Sequence, residues 1–307
     1  MAQFPKEQDE EGGFQRQEDA FRHFVTSGEG GEFPAEAGRY HLYISLACPW
    51  AHRTLIVRHL LGLEDVITVT VADPVRDERG WAFREGEGHS GDEVNGFQFL
   101  AQAYQASDRD FSGRVTVPVL WDRHKKTIVN NSEDDICQMF AQAFRQFHTR
   151  ECDLFPAALQ DRQTALSTFI YEKVNNGVYK AGFATTQIGY AKAAGEVFNA
   201  LDELENRLSN RRFLLGDTFV ETDWRLFCTL IRFDAVYHGH FKCNLRQIRD
   251  YGHLSTYLRR LYHQPGIAET VSFDHIKRHY YMTHEDINPT RIVPVGPDLS
   301  WLEKPVL

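Results

Sequence analysis

The segment at residues 39–63 changes its apolar period abruptly, and this change constrains the fold more than any other feature of the chain. Before Cys48 apolar residues alternate with others, as is typical of a strand: Tyr40, Leu42, Ile44 and Leu46. Pro49 suits the first position of a helix, and the apolar residues after it follow helical spacing: Leu55, Ile56, Leu60 and Leu63. Cys48 is therefore predicted to lie at a strand-to-helix turn.

The predicted position of Cys48 favours a reactive thiolate. The unpaired N–H groups and the positive dipole end of the following helix stabilise negative charge, and His52 and Arg53 add positive potential. Ala51 stands where a Cys-x-x-Cys pair would have its second thiol, so a sulfur-bound intermediate must be resolved by a thiol from elsewhere, and a small soluble thiol is the natural candidate. The alternative is a buried structural cysteine that behaves as a small apolar residue.

Composition limits the classes of function. A chain of 307 residues has room for two domains, and 42% hydrophobic with 25% charged residues is ordinary for a globular protein. The formal net charge of −9 argues against nucleic acid or an anionic membrane as partner. No apolar run approaches the roughly 18 residues that span a bilayer. The acidic amino terminus lacks the apolar core of a signal peptide, and five scattered cysteines do not form a disulfide framework. We therefore expect a cytoplasmic location.

The pattern predicts an α/β unit over residues 39–150, after an irregular arm at residues 1–38. We expect the aromatic residues of the arm to dock on the body: Phe4, Phe14, Phe21, Phe24 and Phe33. Strands are predicted at residues 66–71, 114–121 and 127–130, and helices at residues 96–106 and 136–147. Pro118 interrupts its strand and marks an edge, a bulge or a cis bond.

The strand pattern disappears after residue 157. Residues 157–287 are predicted to be all-helical, with apolar helical faces at residues 166–174, 194–208, 222–231 and 251–261. Residues 288–307, with four prolines, are predicted to form an extended tail. An α/β unit followed by an all-α unit is the expected architecture.

Four motifs make the chain similar to a known family. LACPWAHRTL (46–55), GRVTVPVLW (113–121), VNNGVYKAGFA (174–184) and GIAETVSFDH (266–275) resemble the glutathionyl-hydroquinone reductases, the Xi class of glutathione transferases. The resemblance covers residues 20–297. It implies a thioredoxin-like amino-terminal domain, an all-α glutathione-transferase-type domain and a homodimer.

The resemblance implies glutathione as co-substrate and glutathionyl-hydroquinones as substrates. Cys48 would attack the glutathionyl sulfur, release the hydroquinone and form a mixed disulfide, which a second glutathione would resolve to oxidised glutathione. The ring carbon must gain a proton, and by motif Tyr179 and Tyr280 match the two tyrosines that fill this role in the family. The alternative is that both are ordinary packing aromatics, and Tyr281 is a possible misassignment.

The family also implies how glutathione binds. Its cysteinyl backbone would pair with the main chain of Val117, and its carboxylates would meet Arg114 and the Trp81 indole. Its γ-glutamyl end would meet Ser132 and Glu133, which stand in the reverse of the family's Glu-Ser order, so their roles can be exchanged.

A second departure is found at residues 220–223, where Val220 replaces the usual Ser or Thr of a capping box. We expect weaker capping of the helix that follows.

Three other functions compete with this interpretation. Two segments have spacings that metal sites use: His275 with His279, and His238 with His240 and Cys243. Neither has a complete set of ligands, so we expect no metal. A binding protein without catalysis is a second alternative. A thiol transferase or dehydroascorbate reductase of the same superfamily is a third, because it shares the mixed-disulfide chemistry.

Overall fold

A four-stranded mixed sheet forms the centre of the unit built by Glu18–Asp153 and Glu269–His275, called here the α/β unit. Its strands lie in the order β2-β1-β3-β4: β1 (Tyr40–Ile44), β2 (Ile67–Val71), β3 (Val119–Asp122) and β4 (Thr127–Asn130). β1 is parallel to β2 and antiparallel to β3, and β3 is antiparallel to β4. The computed structural model describes residues 7, 14–28, 30–304 and 306.

Three helices accompany the sheet: α1 (Pro49–Leu60), α2 (Ala101–Ser107) and α3 (Glu133–Gln142). α1 is the crossover that the parallel pair β1 and β2 requires. The strand predicted from residue 114 begins only at Val119, because Pro118 has no N–H for a ladder. The Val117–Pro118 bond is cis. The helix predicted over residues 136–147 ends at Gln142, and a 3₁₀ turn covers Arg145–Phe147.

The later part of the arm is held by α3 and by the residues just before this helix. The Phe21 N–H donates to Asn131 Oδ1 at 2.8 Å, and the Arg22 guanidinium forms a two-pronged ion pair with Asp135 in the first turn of α3. The prediction of docked aromatics is right for Phe14 and Phe33, which are buried, and wrong for Phe24, which is 45% exposed. Phe4 lies outside the described residues.

The other unit comprises Met1–Gln17, Leu154–Ala268 and Ile276–Leu307; helices are its main described elements, and it is called here the helical unit. The helices after α3 are α4 (Gln160–Ile170), α5 (Gly177–Gly182), α6 (Gln187–Leu208), α7 (Glu221–Arg232), α8 (Gly252–Tyr262) and α9 (Phe273–Thr283), the last of which begins in the α/β unit. Every residue of α7 is buried, so α7 is the core of this unit. None of the described helices is long and apolar enough to cross a membrane.

Two π-helical turns are present in the described part of this unit, and the first overlaps the end of the helical face predicted over residues 166–174. One at Tyr171–Asn175 separates α4 from α5, and another at Phe233–Tyr237 follows α7 directly. The six-residue α5 was missed by the helical pattern, because it is too short to show a period. In the described part of the tail, residues 291–299 form neither helix nor strand, and a 3₁₀ turn covers Ser300–Glu303.

Half of the expected capping box remains at the start of α7. Val220 has no side-chain acceptor, but Asp223 accepts the Val220 N–H at 2.8 Å and the Leu214 N–H at 2.9 Å. The Tyr257 hydroxyl donates to the same carboxylate at 2.8 Å. Burial nevertheless raises the pKa of Asp223 to about 6. The predicted weakening of the cap is therefore limited to the one bond that valine cannot make.

Candidate active site

Cys48 occupies the N-cap position of α1, as the sequence predicts. Its backbone is extended, and its carbonyl accepts the first helical hydrogen bond, from the His52 N–H at 2.9 Å. Pro49 fills the first helical position, where no N–H is needed. The sulfur is partly buried and lies beside the helix N–H groups that carry the positive dipole end. The turn therefore has the geometry of an activated cysteine.

The carbonyl of Val117 lies next to this sulfur. Cys48 Sγ donates to Val117 O across 3.6 Å. The chain leading to the cis bond between Val117 and Pro118 is held from the side, because the Tyr104 hydroxyl donates to Thr116 O at 2.9 Å and accepts its N–H at 3.2 Å. A peptide backbone paired with Val117 would thus be brought close to the cysteine.

The two basic residues after Cys48 are buried and engaged. His52 Nε2 lies 2.7 Å from Thr270 Oγ1, which fixes the ring. Arg53 is 1% exposed and forms ion pairs with Glu133, at 3.3 Å, and with Asp134. The positive potential that the sequence attributes to Arg53 is therefore partly balanced by carboxylates of α3.

Ser132 and Glu133 open α3, where the family resemblance expects the γ-glutamyl end of glutathione. Ser132 is the N-cap, yet its hydroxyl makes no capping bond; its N–H donates to Asn130 Oδ1 at 2.7 Å instead. Glu133 begins the helix with its side chain only 13% exposed, against Arg53. The N–H groups of the first turn of α3 are suited to a carboxylate.

Trp81 and Arg114 differ in their surroundings. Trp81 is 4% exposed, and the Arg76 guanidinium lies 5.1 Å from its ring centroid. Its carbonyl accepts the Leu100 N–H at 2.9 Å, which ties the long connection at residues 72–95 to the start of α2. Arg114 is partly exposed in the chain that leads to Val117.

The helical unit brings the two motif tyrosines together. The hydroxyls of Tyr179, on α5, and Tyr280, on α9, lie 2.5 Å apart. Tyr179 is partly exposed, whereas Tyr280 is 1% exposed. Tyr281, the possible misassignment, makes a ring contact with His240.

A third tyrosine, which the sequence did not single out, extends this pair. The Tyr237 hydroxyl lies 2.9 Å from that of Tyr280, so the three phenols form a hydrogen-bonded chain. Burial raises the pKa of Tyr280 and Tyr237 well above the ordinary value, and the neighbouring tyrosines of the cluster add to this effect. No helical or strand period marks Tyr237, because it belongs to the π-helical turn after α7.

The histidine segments that resemble metal sites make contacts within their own units. His275 Nε2 donates to the Glu87 carbonyl at 2.7 Å, and His240 Nε2 lies 3.1 Å from His284 Nδ1. Burial lowers the pKa of His240 to about 3. In the described part of the chain, no group of three or more His, Cys, Asp or Glu has a geometry that would hold a metal.

Models of two families match the chain. The model of the glutathione S-transferase amino-terminal domain covers residues 47–143, and that of the carboxyl-terminal domain covers residues 187–260. The glutathionyl-hydroquinone reductase YqjG of Escherichia coli is 50% identical over 294 residues, which are 93% of this chain and 89% of the relative. The chain belongs to the Xi class of glutathione transferases, the glutathionyl-hydroquinone reductase family.

Solved structures of Xi-class glutathione transferases share the fold. The glutathione-bound structure of YqjG superposes with a TM-score of 0.90 at 49% identity, over 93% of this chain and 95% of that one. The glutathione S-transferase Xi of Phanerochaete chrysosporium also gives 0.90, at 46% identity over 92% and 97% of the two chains. The predicted fold class, a thioredoxin-like domain followed by an all-α glutathione transferase domain, is confirmed.

Proposed function

We propose that the protein reduces glutathionyl-hydroquinones to hydroquinones with glutathione as co-substrate. The observation that carries this proposal is the position of Cys48 Sγ, at the N-cap of α1 and 3.6 Å from the Val117 carbonyl. Glutathione paired through its cysteinyl backbone with Val117 presents its sulfur beside Cys48. The 50% identity to a curated reductase over most of both chains supports the same activity.

In the first half-reaction, the Cys48 thiolate attacks the glutathionyl sulfur of the substrate. A Cys48–glutathione disulfide forms as the bond between sulfur and ring carbon breaks. A bare aryl carbanion is too unstable to leave, so the bond breaks in the keto tautomer, whose ring carbon already holds a proton. The electron pair then forms an enolate, and protonation of its oxygen gives the hydroquinone.

In the second half-reaction, the thiolate of another glutathione attacks the mixed disulfide. This step releases oxidised glutathione, regenerates the Cys48 thiolate and returns the proton that the hydroquinone took up. Within the described residues the other four cysteines form no disulfide, and burial raises the pKa of Cys152 to about 11 and of Cys243 to about 12. These two thiols are poor nucleophiles, which supports an external resolving thiol.

In this scheme Tyr179 and Tyr280 supply the proton that the enolate oxygen takes up, and their hydrogen bond holds this proton in position. Their hydroxyls are 2.5 Å apart, a distance suited to proton transfer along a chain of phenols. Trp81, Arg114, Ser132 and Glu133 bind the glutathionyl group: the first two and the α3 N–H groups hold its carboxylates, and Glu133 meets its ammonium. The supporting geometry is the opening of α3 by Ser132 and Glu133.

A side-by-side assay tests the proposed function. Purified protein is given glutathione with glutathionyl-menadiol, with a simple glutathione mixed disulfide or with dehydroascorbate, and with a conjugation electrophile. Efficient release of menadiol supports the proposal. Turnover of only the disulfide or dehydroascorbate would instead assign the thiol transferase activity.

We also propose a homodimer, on the basis of the family resemblance alone. Size-exclusion chromatography with light scattering measures the mass directly. A mass of one 35.4 kDa chain at micromolar concentration contradicts this proposal.

A further inference from the structure

Arg16, near the beginning of the described arm, lies over the ring of Tyr179, and we propose that it stabilises the negative charge on Tyr179 after this residue gives up its proton. The inference rests on the proposed function and adds a charge-stabilising residue to it. Nothing in the sequence pattern points to Arg16, since only the tertiary structure brings the arm to α5.

Phe14 fixes the position of the arm on the helical unit. Its side chain is 2% exposed and packs against two rings of the α5 region, Phe183 at 5.5 Å and Tyr179 at 6.4 Å between centroids. Because Arg16 follows only two residues later, its guanidinium is restricted to the neighbourhood of Tyr179.

The contacts of Arg16 orient its charge toward the phenol. The guanidinium carbon lies 5.1 Å from the centroid of the Tyr179 ring, within the range of a cation–π interaction. Its Nε–H points to Asn176 Oδ1 at 3.5 Å. A cation over an aromatic face is attracted weakly by a neutral phenol and more strongly by a phenolate, whose ring carries net negative charge.

Among the three linked phenols, Tyr179 is the one suited to carry this charge. Tyr280 and Tyr237 are buried, and their pKa is raised well above the ordinary value, although the charge of Arg232 partly opposes this. Both can act as donors: Tyr280 to the Tyr179 oxygen at 2.5 Å, and Tyr237 to Tyr280 at 2.9 Å. The remaining ring neighbours of Tyr179 carry no charge: Phe14, Phe183 and Phe241.

The proton balance of the reaction is unchanged by this role. The O–H bond of Tyr179 breaks and its proton passes to the enolate oxygen of the leaving hydroquinone. The resulting phenolate is held by Arg16 and by the Tyr280 hydroxyl. It regains a proton when the thiol of the second glutathione is deprotonated to attack the mixed disulfide.

Two substitutions test the charge separately from the shape. Arg16→Gln keeps a donor of similar length and removes the charge, whereas Arg16→Lys keeps the charge. We expect Arg16→Gln to lower kcat with glutathionyl-menadiol about tenfold, which corresponds to about 1.4 kcal/mol, and Arg16→Lys to restore most of it. Reduction of a glutathione mixed disulfide, which needs no such proton, should be unchanged. Arg145→Gln, an exposed arginine of the α/β unit, is the matched control.

A titration independent of turnover completes the test. Ionised tyrosine absorbs near 295 nm, and the part of this absorbance that disappears in Tyr179→Phe belongs to Tyr179. In the Arg16→Gln variant this part should appear at a pH about one unit higher than in the wild type. Equal slowing of both substrates, failure of lysine to rescue, or an unmoved titration overturns the role of Arg16. Should the wild-type protein reduce the disulfide but not glutathionyl-menadiol, the proposed function fails, and the titration still decides whether Arg16 acts on Tyr179.

Discussion

The hydroxyl oxygens of Tyr179 and Tyr280 lie 2.5 Å apart although the residues are separated by 101 positions in the chain. One is carried by the short helix α5 and the other by α9. Tyr237 joins them at 2.9 Å from Tyr280, and a pair that motifs suggest becomes a chain of three phenols. A hydrogen-bonded chain of this kind can share the charge that one member acquires.

Replacing Cys48 with Ala should abolish menadiol release from glutathionyl-menadiol without unfolding the protein, because Cys48 is the proposed nucleophile and its side chain only partly buried. Mass spectrometry after treatment with oxidised glutathione should find the adduct at Cys48. Cys152→Ala is the matched control, since burial raises the pKa of that thiol to about 11. Retained turnover in the Cys48 variant excludes the assignment.

Replacing Tyr280 with Phe should slow the thioether reaction about 10²-fold, because the Tyr179 oxygen loses the hydroxyl that donates to its developing negative charge. Reduction of a glutathione mixed disulfide should stay within about twofold, because no carbon or oxygen of a ring is protonated there. Tyr237→Phe should have a smaller effect, since its hydroxyl bonds to that of Tyr280 at 2.9 Å, and Tyr280 is the residue proposed to act on Tyr179 directly. Equal loss on both substrates argues for a packing role.

Replacing Glu133 with Gln should raise the KM for glutathione about tenfold, which corresponds to about 1.4 kcal/mol for one charged contact. Asp134→Asn is the matched control, because Asp134 is the adjacent residue, pairs with the same Arg53 and is 46% exposed. Steady-state kinetics at saturating glutathionyl-menadiol measure the effect. A similar rise in both variants would instead trace the effect to the ion pairs of Arg53.

Replacing Asp234 with Asn should flatten the pH dependence of stability between about pH 4 and pH 6. Burial raises the pKa of Asp234 to about 6, so the folded state binds a proton there that the unfolded state, near the ordinary value of 3.8, does not. Asp234 therefore raises the free energy of unfolding as pH falls toward 4, and this stabilising contribution is lost as pH rises through 6. The difference amounts to about 3 kcal/mol in principle, at 1.36 kcal/mol per pH unit.

Urea unfolding at several pH values compares wild type with this variant. The carboxylate accepts N–H groups of Ile248 and Arg249 at 2.6 and 3.2 Å, and the asparagine oxygen can keep one of them. Parallel stability curves for the two proteins across this range contradict the prediction.

Replacing Val220 with Thr should raise the free energy of unfolding by about 1 kcal/mol, the usual value of an N-cap hydroxyl. The threonine oxygen would accept the Asp223 N–H and complete the box of which Asp223 already makes one half. Val220→Ala, which removes methyl groups and adds no acceptor, is the control and should destabilise. A threonine variant less stable than wild type shows that burial of the hydroxyl at this 1% exposed site outweighs the cap.

The sequence by itself determined the local elements with clear periods. The alternation before Cys48 and the helical spacing after it predict β1, α1 and the N-cap position of the sulfur, because these depend on residues near in the chain. The motif tyrosines and the two-part architecture also followed from sequence.

Only the tertiary structure decided which distant groups meet. The distance between Tyr179 and Tyr280, the third phenol of Tyr237 and the guanidinium of Arg16 over the Tyr179 ring depend on packing between segments far apart in the chain. The same holds for Arg53, whose predicted charge is balanced by carboxylates of α3. A hydrophobic period records which face of a helix is buried, but it does not record which side chains share that buried space.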